Sequence, residues 1–387
     1  GMVGGCLALA LCQSPLRVAI IEAKSPASKV NDDAGKRAIA LSWGSRCLLD
    51  QLGLWEGLQA SSVAIEHIHV SDKGHFGKTR LSAESQAVDA LGYVVAAEQI
   101  ESTVNAALAK TQLDVFCPAE LLNYHVVDDL VRLTVLDQGE ERSLSCRLLV
   151  GADGGSSVVR ERGCFELREQ SYQQQAITAQ LRVESDQRHI AYERFTADGP
   201  IAMLPHFDDS YSLVWTMPTE LAQHVIQLSE KEFISKLQQE FGQWLGELTL
   251  MGDCQTFPLA LSYVPQTVVD RVVLIGNAAH QLHPVAGQGF NLGLRDAAAL
   301  ADALLSAQDD VGAADVLALY ADQRQLDQSL VIGLTDKIVK IFSTDSSVFS
   351  VLRNSGLLLM DKLPMLKNKF AQQTMGLASR LPRIKGE

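Results

Sequence analysis

Two apolar patterns divide the chain. At its ends, short continuous apolar runs stop at glycine and give way to apolar positions at helical spacing. Val272, Val273, Leu274 and Ile275 form such a run, closed by Gly276, and Leu292, Leu294, Ala298, Leu300 and Leu304 then recur as one face of a helix. The predicted unit is a buried strand, a glycine-rich turn and a helix. The N-terminus carries the helix and strand of a similar unit. Gly1, Gly4 and Gly5 open the apolar run Cys6–Leu11, Ser14 and Pro15 break it, and Arg17–Glu22 reads as a strand ending on an acid. A third unit is "LLVGADGGSSVVRERG" (148–163), again a buried strand, a turn and a helix start.

The middle of the chain follows a period of two. Segments such as "AITAQLRVE" and "SYSLVWTMP", between about 166 and 264, alternate as antiparallel strands do, with the helical "EKEFISKLQQEFGQWL" inserted. Leu48, Leu49, Leu52 and Leu54 predict a helix after a loop around Arg37, and Glu98–Lys110 predicts another. Residues 113–149 read as two or three strands. The fold expected is α/β, a Rossmann-like nucleotide-binding domain of the glutathione-reductase type with an antiparallel-sheet substrate domain inserted. The nucleotide part is assigned to 1–70, 95–165 and 265–330, and the sheet to 71–94 and 166–264. A helical C-terminal segment covers 331–387, within which Pro364 is expected to break or kink any helix. The first strand of the nucleotide fold, with the first glycine of its turn, is expected to be missing from this sequence, which puts cofactor affinity in question.

Composition narrows the functions. With 387 residues, 47% of them hydrophobic, the chain can bury a sizeable core in two domains. A net charge of −13 argues against nucleic acid as a partner, since a phosphate-binding surface needs clustered Lys and Arg. The charge is uneven, however. From Arg353 onward seven basic residues face Asp361 and Glu387, so this segment carries +5 and the remainder −18. The seven cysteines are scattered without a C-x-x-C pair, and the histidines add no metal-type spacing, so no metal site is expected. No apolar run reaches the roughly 18 residues of a membrane span, and no basic leader precedes an apolar core. A cytoplasmic protein follows, touching a membrane only at its surface.

The glycines carry the chemistry. A helix starts with unpaired N–H groups and the positive end of its dipole, and Gly287 and Gly289 let a ligand approach the main chain without a Cβ in the way. An ordinary glycine-rich loop explains one such motif equally well. Gly1 and Gly4, matching the last two glycines of G-x-G-x-x-G, precede a strand whose terminal Glu22 is placed to hydrogen-bond a ribose.

In order and across nearly the whole chain, these motifs and Arg37 resemble the FAD-dependent aromatic hydroxylases of the para-hydroxybenzoate hydroxylase type. "RAIALSWGS", "VSDKGHFG", "ERFTADGPIAMLP" and "GNAAHQLHPVAGQGFNLGLRD" look most like the ubiquinone-biosynthesis branch, in particular its 2-polyprenyl-6-methoxyphenol hydroxylases. The resemblance implies that Gly1 and Gly4 meet the FAD pyrophosphate, that Glu22 holds the ribose, and that Arg37 and Gln99 lie along the cofactor. It places Asp153 near the pyrophosphate and ribityl chain, where it helps admit NAD(P)H. The turn of Gly276, Asn277, Pro284, Gly287, Gln288, Gly289, Phe290 and Asn291 faces the isoalloxazine ring. Asn277 stands where most of the wider family has aspartate, a departure that recurs in this branch. Leu204 and Pro205 are implied on the substrate wall, and His283 is nominated for proton handling at the phenol. The implied reaction uses NAD(P)H, FAD and dioxygen, through a flavin C4a-hydroperoxide, to hydroxylate a polyprenylated phenol. A flavoprotein oxidase or dehydrogenase, or a non-catalytic flavin-binding subunit of a ubiquinone-biosynthesis complex, remains an alternative on the same fold. The net-positive tail, rich in Leu357, Leu358, Leu359, Leu363, Leu366, Phe370 and Leu377, is expected either to pack on the flavin domain or to attach the protein to the inner membrane face or a partner complex.

Overall fold

The computed structural model describes residues 1–25, 37–75, 77–343 and 362–377. Its elements run α1 (Met2–Leu11), β1 (Ala19–Ile21), β2 (Ala38–Ser42), α2 (Trp43–Gln51) and α3 (Trp55–Gln59). After them come β3 (Ser62–Ile65), β4 (His67–Asp72), β5 (Lys78–Ser82), β6 (Gly92–Ala96) and α4 (Ala97–Leu108). Next are β7 (Asp114–Phe116), β8 (Ala119–Val127), β9 (Leu130–Asp137), β10 (Glu140–Cys146), β11 (Leu149–Gly151) and α5 (Val158–Arg162). The long middle section holds β12 (Arg168–Val183), β13 (Ile190–Phe195), β14 (Pro200–Pro205), β15 (Ser210–Pro218), α6 (Thr219–Val225), α7 (Glu230–Phe241) and β16 (Leu248–Tyr263). The chain then returns through β17 (Val268–Val269), β18 (Val272–Leu274), β19 (His280–Gln281), α8 (Gln288–Leu305), α9 (Ala314–Ser343) and α10 (Pro364–Thr374).

The continuous apolar runs became parallel strands covered by helices. β1 pairs in parallel with β7, and β11 pairs in parallel with β18. β1 and β11 are both edges among the described strands, and both line one cleft. α1 packs between α4 and α8 because Gly5, Gly276 and Gly293 bring backbones close. A Cβ on Gly293 would stand 3.0 Å from the Gly276 Cα, and one on Gly276 would stand 3.2 Å from Val3.

The period-two segments became an eight-stranded sheet in the order β19-β16-β12-β15-β14-β13-β4-β5. Alternation sorts its two faces. Ile177, Leu181, Tyr192, Met203, Leu213 and Trp215 project to one side and bury against Ala222, Val225, Phe233, Leu237 and Phe241 of α6 and α7. The opposite face carries Ala176, Thr178, Ala202, Leu204, Ser212, Val214 and Phe257 and looks into the cleft. α7 begins with the reciprocal Ser229–Glu232 capping box, which fixes where it starts over the sheet.

The helical run is interrupted where a break was expected: Lys362 is helical, Leu363 is extended, and Pro364 opens the last helix, at a position where its missing N–H has no helical acceptor to lose. α10 then turns Phe370, Ala371 and Met375 into a cluster with Leu81, Leu91 and Trp43. Leu377 and Phe370 therefore pack as one of the two sequence readings of the tail expected, whereas Leu363 and Leu366 are exposed. Arg353 and Leu357, Leu358 and Leu359 lie outside the described residues. No described helix is long and apolar enough to cross a membrane, and the described residues contain no metal-binding cluster.

Candidate active site

One cleft of about 2800 Å³ separates the parallel strands from the antiparallel sheet. Two helices start at it, both on glycine and both without a side-chain cap. α1 starts at Gly1, and α8 starts at Gly287, whose φ of +59° is a left-handed conformation suited to glycine. Their first-turn N–H groups have no intrahelical partner, which makes each end a place for an anionic group. A Cβ built on Gly289 meets nothing within 4 Å, because this residue faces the open cleft.

A buried amide fixes the turn before α8. Asn291 accepts from the Ser42 N–H at 2.8 Å and donates to the carbonyls of Ala40 and Gly287, at 2.8 and 2.7 Å. It thereby clamps the start of α8 to the end of β2. Behind it, the fully buried Asp296 accepts from the Gly276 N–H, His280 Nε2, Arg324 Nε and Gln328 Nε2 at 3.2, 2.6, 2.9 and 2.9 Å. Burial alone would raise the Asp296 carboxyl, but the nearby His280 and Arg324 outweigh it and hold the group well below the usual carboxylate range. One carboxylate thus ties the 276–280 turn to α8 and α9.

Most residues nominated from the sequence converge on the cleft. Gly1, Gly4, Glu22, Arg37, Asp153, Asn277, His283, Pro284, Gly287, Gly289, Phe290 and Leu204 all line it. Gly1 and Glu22 line the same cleft, the first at the start of α1 and the second just past the end of β1. Arg37 lies over the Phe257 ring at 5.0 Å, bridging the two walls. Asp153 accepts from the Ser157 hydroxyl and the Val159 N–H, so its carboxylate also secures the start of α5.

Five nominated residues sit elsewhere. Gln99 is exposed outside the cleft lining, while its neighbours Glu98 and Glu101 border it. Pro205 pairs with Tyr211 on the sheet's other face, since consecutive strand residues alternate and Leu204 takes the cleft side. Gly276 packs on Val3, Gln288 reaches the Thr374 carbonyl on α10, and Asn291 forms the clamp described above. These three shape the turn from behind. His283 borders the cleft but is almost fully buried, and burial pushes its imidazole down to about 4. Its Nδ1 accepts from the Val285 N–H, so the neutral ring carries its proton on Nε2 and can only donate.

Sequence reasoning missed two features. The Asn291 clamp joins residues about 250 positions apart and has no local signature. Glu193, an acid on the cleft face of β13, carried a readable signal: in "AYERF" it alternates with Tyr192 and Arg194 and shares a face with Ala191 and Phe195.

Uncapped helix starts on glycine, converging on a cleft walled by an antiparallel sheet, define a dinucleotide-binding flavoprotein. The residues fit FAD: Gly289 leaves its space open, and Gly1, Gly4 and Glu22 line one cleft at the start of α1 and the end of β1, as a pyrophosphate and a ribose require. A family model described as an FAD binding domain matches residues 1–332. Ubiquinone hydroxylase UbiL of Rhodospirillum rubrum is 33% identical over 385 residues, 97% of this chain and 88% of that protein. The 3-demethoxyubiquinol 3-hydroxylase of Escherichia coli strain K12 is 31% identical, with 97% of each chain covered. Among solved structures, p-nitrophenol 4-monooxygenase PnpA from Pseudomonas putida DLL-E4 has a TM-score of 0.78 over 98% of this chain and 96% of that one. At 17% identity this is a likeness of fold. The chain belongs to the FAD binding domain family and is a flavin-dependent monooxygenase.

Proposed function

We propose that the protein hydroxylates the aromatic ring of a polyprenylated phenol in ubiquinone biosynthesis. The observation that carries this reading is the convergence of two uncapped helix starts and the open side of Gly289 on a cleft whose far wall is apolar and uncharged at Ala202, Leu204, Val214 and Phe257. FAD, when bound, supplies the activation of dioxygen at the expense of NAD(P)H. The chain's residues do the rest. The α1 start and Glu22 would hold the dinucleotide, and the positive end of α8 would favour the negative charge that a reduced flavin carries. The Leu204 face of the sheet keeps water from the ring to be hydroxylated. Purified protein is expected to show a flavin spectrum that NADPH bleaches, and to release a hydroxylated phenol in air. NADPH-driven bleaching without hydroxylated product would favour an oxidase or dehydrogenase instead.

The membrane role of the tail is a second part of this reading. α10 buries one edge and leaves Leu363, Met365 and Leu366 exposed, with Met365 83% accessible and Lys362 and Lys369 beside them. An apolar edge flanked by lysines on an acidic protein suits an anionic lipid surface, where each cation contributes on the order of 1 kcal/mol. Sedimentation with phosphatidylserine vesicles at low salt is expected, and is expected to fall at high salt. Substituting Met365→Glu and Leu366→Glu leaves the packed edge intact and should abolish it. Equal sedimentation of both proteins would make the tail purely structural.

A further inference from the structure

The cleft face of the large sheet is nearly uncharged, and one strand departs from this. The row that crosses the sheet through Glu193 runs Val70, Glu193, Ala202, Val214, Thr178 and Gln255. All but Val70 line the cleft. Glu193 is partly buried, borders the same cleft as Leu204 and Pro284, and makes no hydrogen bond or ion pair with the described residues. A carboxyl on an otherwise uncharged wall, with no partner among the described residues, has its oxygens available to a group bound in the cleft.

We infer that Glu193 is a catalytic residue of this hydroxylase, facing the ring hydroxyl of the phenol and taking its proton as the ring is hydroxylated. The inference rests on the reading proposed above. In this step the phenol O–H bond breaks and a carboxyl O–H bond forms on Glu193. The electron pair stays on the phenol oxygen, where it enriches the ring carbons that accept oxygen. The carboxyl later returns the proton to water.

The surroundings suit that task. Removal from bulk water pushes the Glu193 carboxyl up to about 7, near the working pH that general-base catalysis favours. His69, Arg80 and Arg194 belong to the opposite face by register and do not neutralise it. On its own face β4 contributes Asp72, which is buried and lies 3.4 Å from His75, and β14 contributes uncharged Ala202 and Leu204. Across the cleft stand Arg37, stacked on Phe257, and Glu98, Glu101 and His283. His283 cannot serve as the base, because its Nδ1 lone pair is already engaged by Val285.

The test uses the full chain with FAD, NADPH and a short-chain prenylated phenol. Wild type is expected to show an acid limb near pH 7 in kcat/KM, with activity rising as Glu193 ionises. Glu193→Gln, at wild-type flavin content, is expected to lose about 100-fold or more in hydroxylation and to lose that limb, and Glu193→Asp to restore part of both. A prenylated nitrophenol gives a readout without turnover. Its bound phenolate band should titrate at higher pH in wild type than in Glu193→Gln, with Glu193→Asp between the two, since a facing carboxylate opposes phenol ionisation. Identical titrations, or a Glu193→Gln variant that keeps both rate and acid limb, would overturn the role of Glu193 while leaving the hydroxylase reading standing. Wild-type protein that oxidises NADPH and forms no hydroxylated phenol would overturn the reading itself.

Discussion

Gly289→Val is expected to give a folded protein that no longer retains FAD. A Cβ at this position meets no atom of another part of the protein within 4 Å, so the first atom of a side chain is accommodated without a clash. Valine also has a better helix propensity than glycine, and stability should change by less than about 1 kcal/mol. The branched side chain instead fills the space over the first turn of α8, where the ligand must lie against bare backbone. Overpacking of about 3 kcal/mol corresponds to a roughly 100-fold weaker affinity, enough to strip flavin during purification. Flavin absorbance per protein, read beside a thermal melt, checks both halves of the expectation. A yellow variant with normal flavin content would show that α8 does not cradle the cofactor.

The same glycine shows how much could be read in advance. The strand, turn and helix around it were legible because apolar runs and helical spacing are local, and β18 and α8 appear where those patterns predicted them. The strands β12 to β16 were legible for the same reason, whereas β4 and β19 join their sheet partly or wholly from segments assigned to the nucleotide part, and β6, assigned in part to the sheet, pairs with β2 and β3 instead. What escaped was set by direction and distance. Leu204 and Pro205 are adjacent in sequence, yet the pleat sends them to opposite faces, and only the cross-strand register with Ser212 and Tyr211 tells which faces the cleft. Gln99 and Glu101 lie on one short helix, and its docking on α1 decides that the second borders the cleft and the first does not. Pro364 was legible as a break, and the interruption falls at Leu363, because a proline without an N–H is accepted only in the first turn of the helix that follows. Asn291 looked like part of the flavin-facing surface because it shares a helix turn with Gly289. Its amide turns away and spends its hydrogen bonds on β2.

Asp296→Ala is expected to destabilise the whole protein, beyond any effect at the flavin. The carboxylate is fully buried and faces His280 at 2.6 Å and Arg324 at 2.9 Å, while Arg295 and Arg324 share Asp327 at 2.8 and 2.7 Å. Removing Asp296 leaves Arg324 with one anion in place of two and orphans the Gly276 N–H inside the core. Breaking a buried pair in this way costs about 3–5 kcal/mol, most of it from the charge left without a partner. Urea unfolding should show a loss of that size with little change in slope. Asp296→Asn keeps an oxygen for one donor and should lose less. The pH dependence follows from the depressed carboxyl of the folded state. Its stabilisation is fully present above the ordinary aspartate value near 3.8 and is lost as pH falls below it toward the lower folded value. Wild type should therefore weaken in strong acid, while Asp296→Ala, already without this contribution, should show a shallower acid slope. The turn carrying Asn277 hangs from the Gly276 bond, so flavin should also dissociate faster from Asp296→Ala at temperatures where the protein is still folded. Unchanged unfolding in urea would mean that Arg324 and His280 find other partners and that the carboxylate does not join the turn to the two helices.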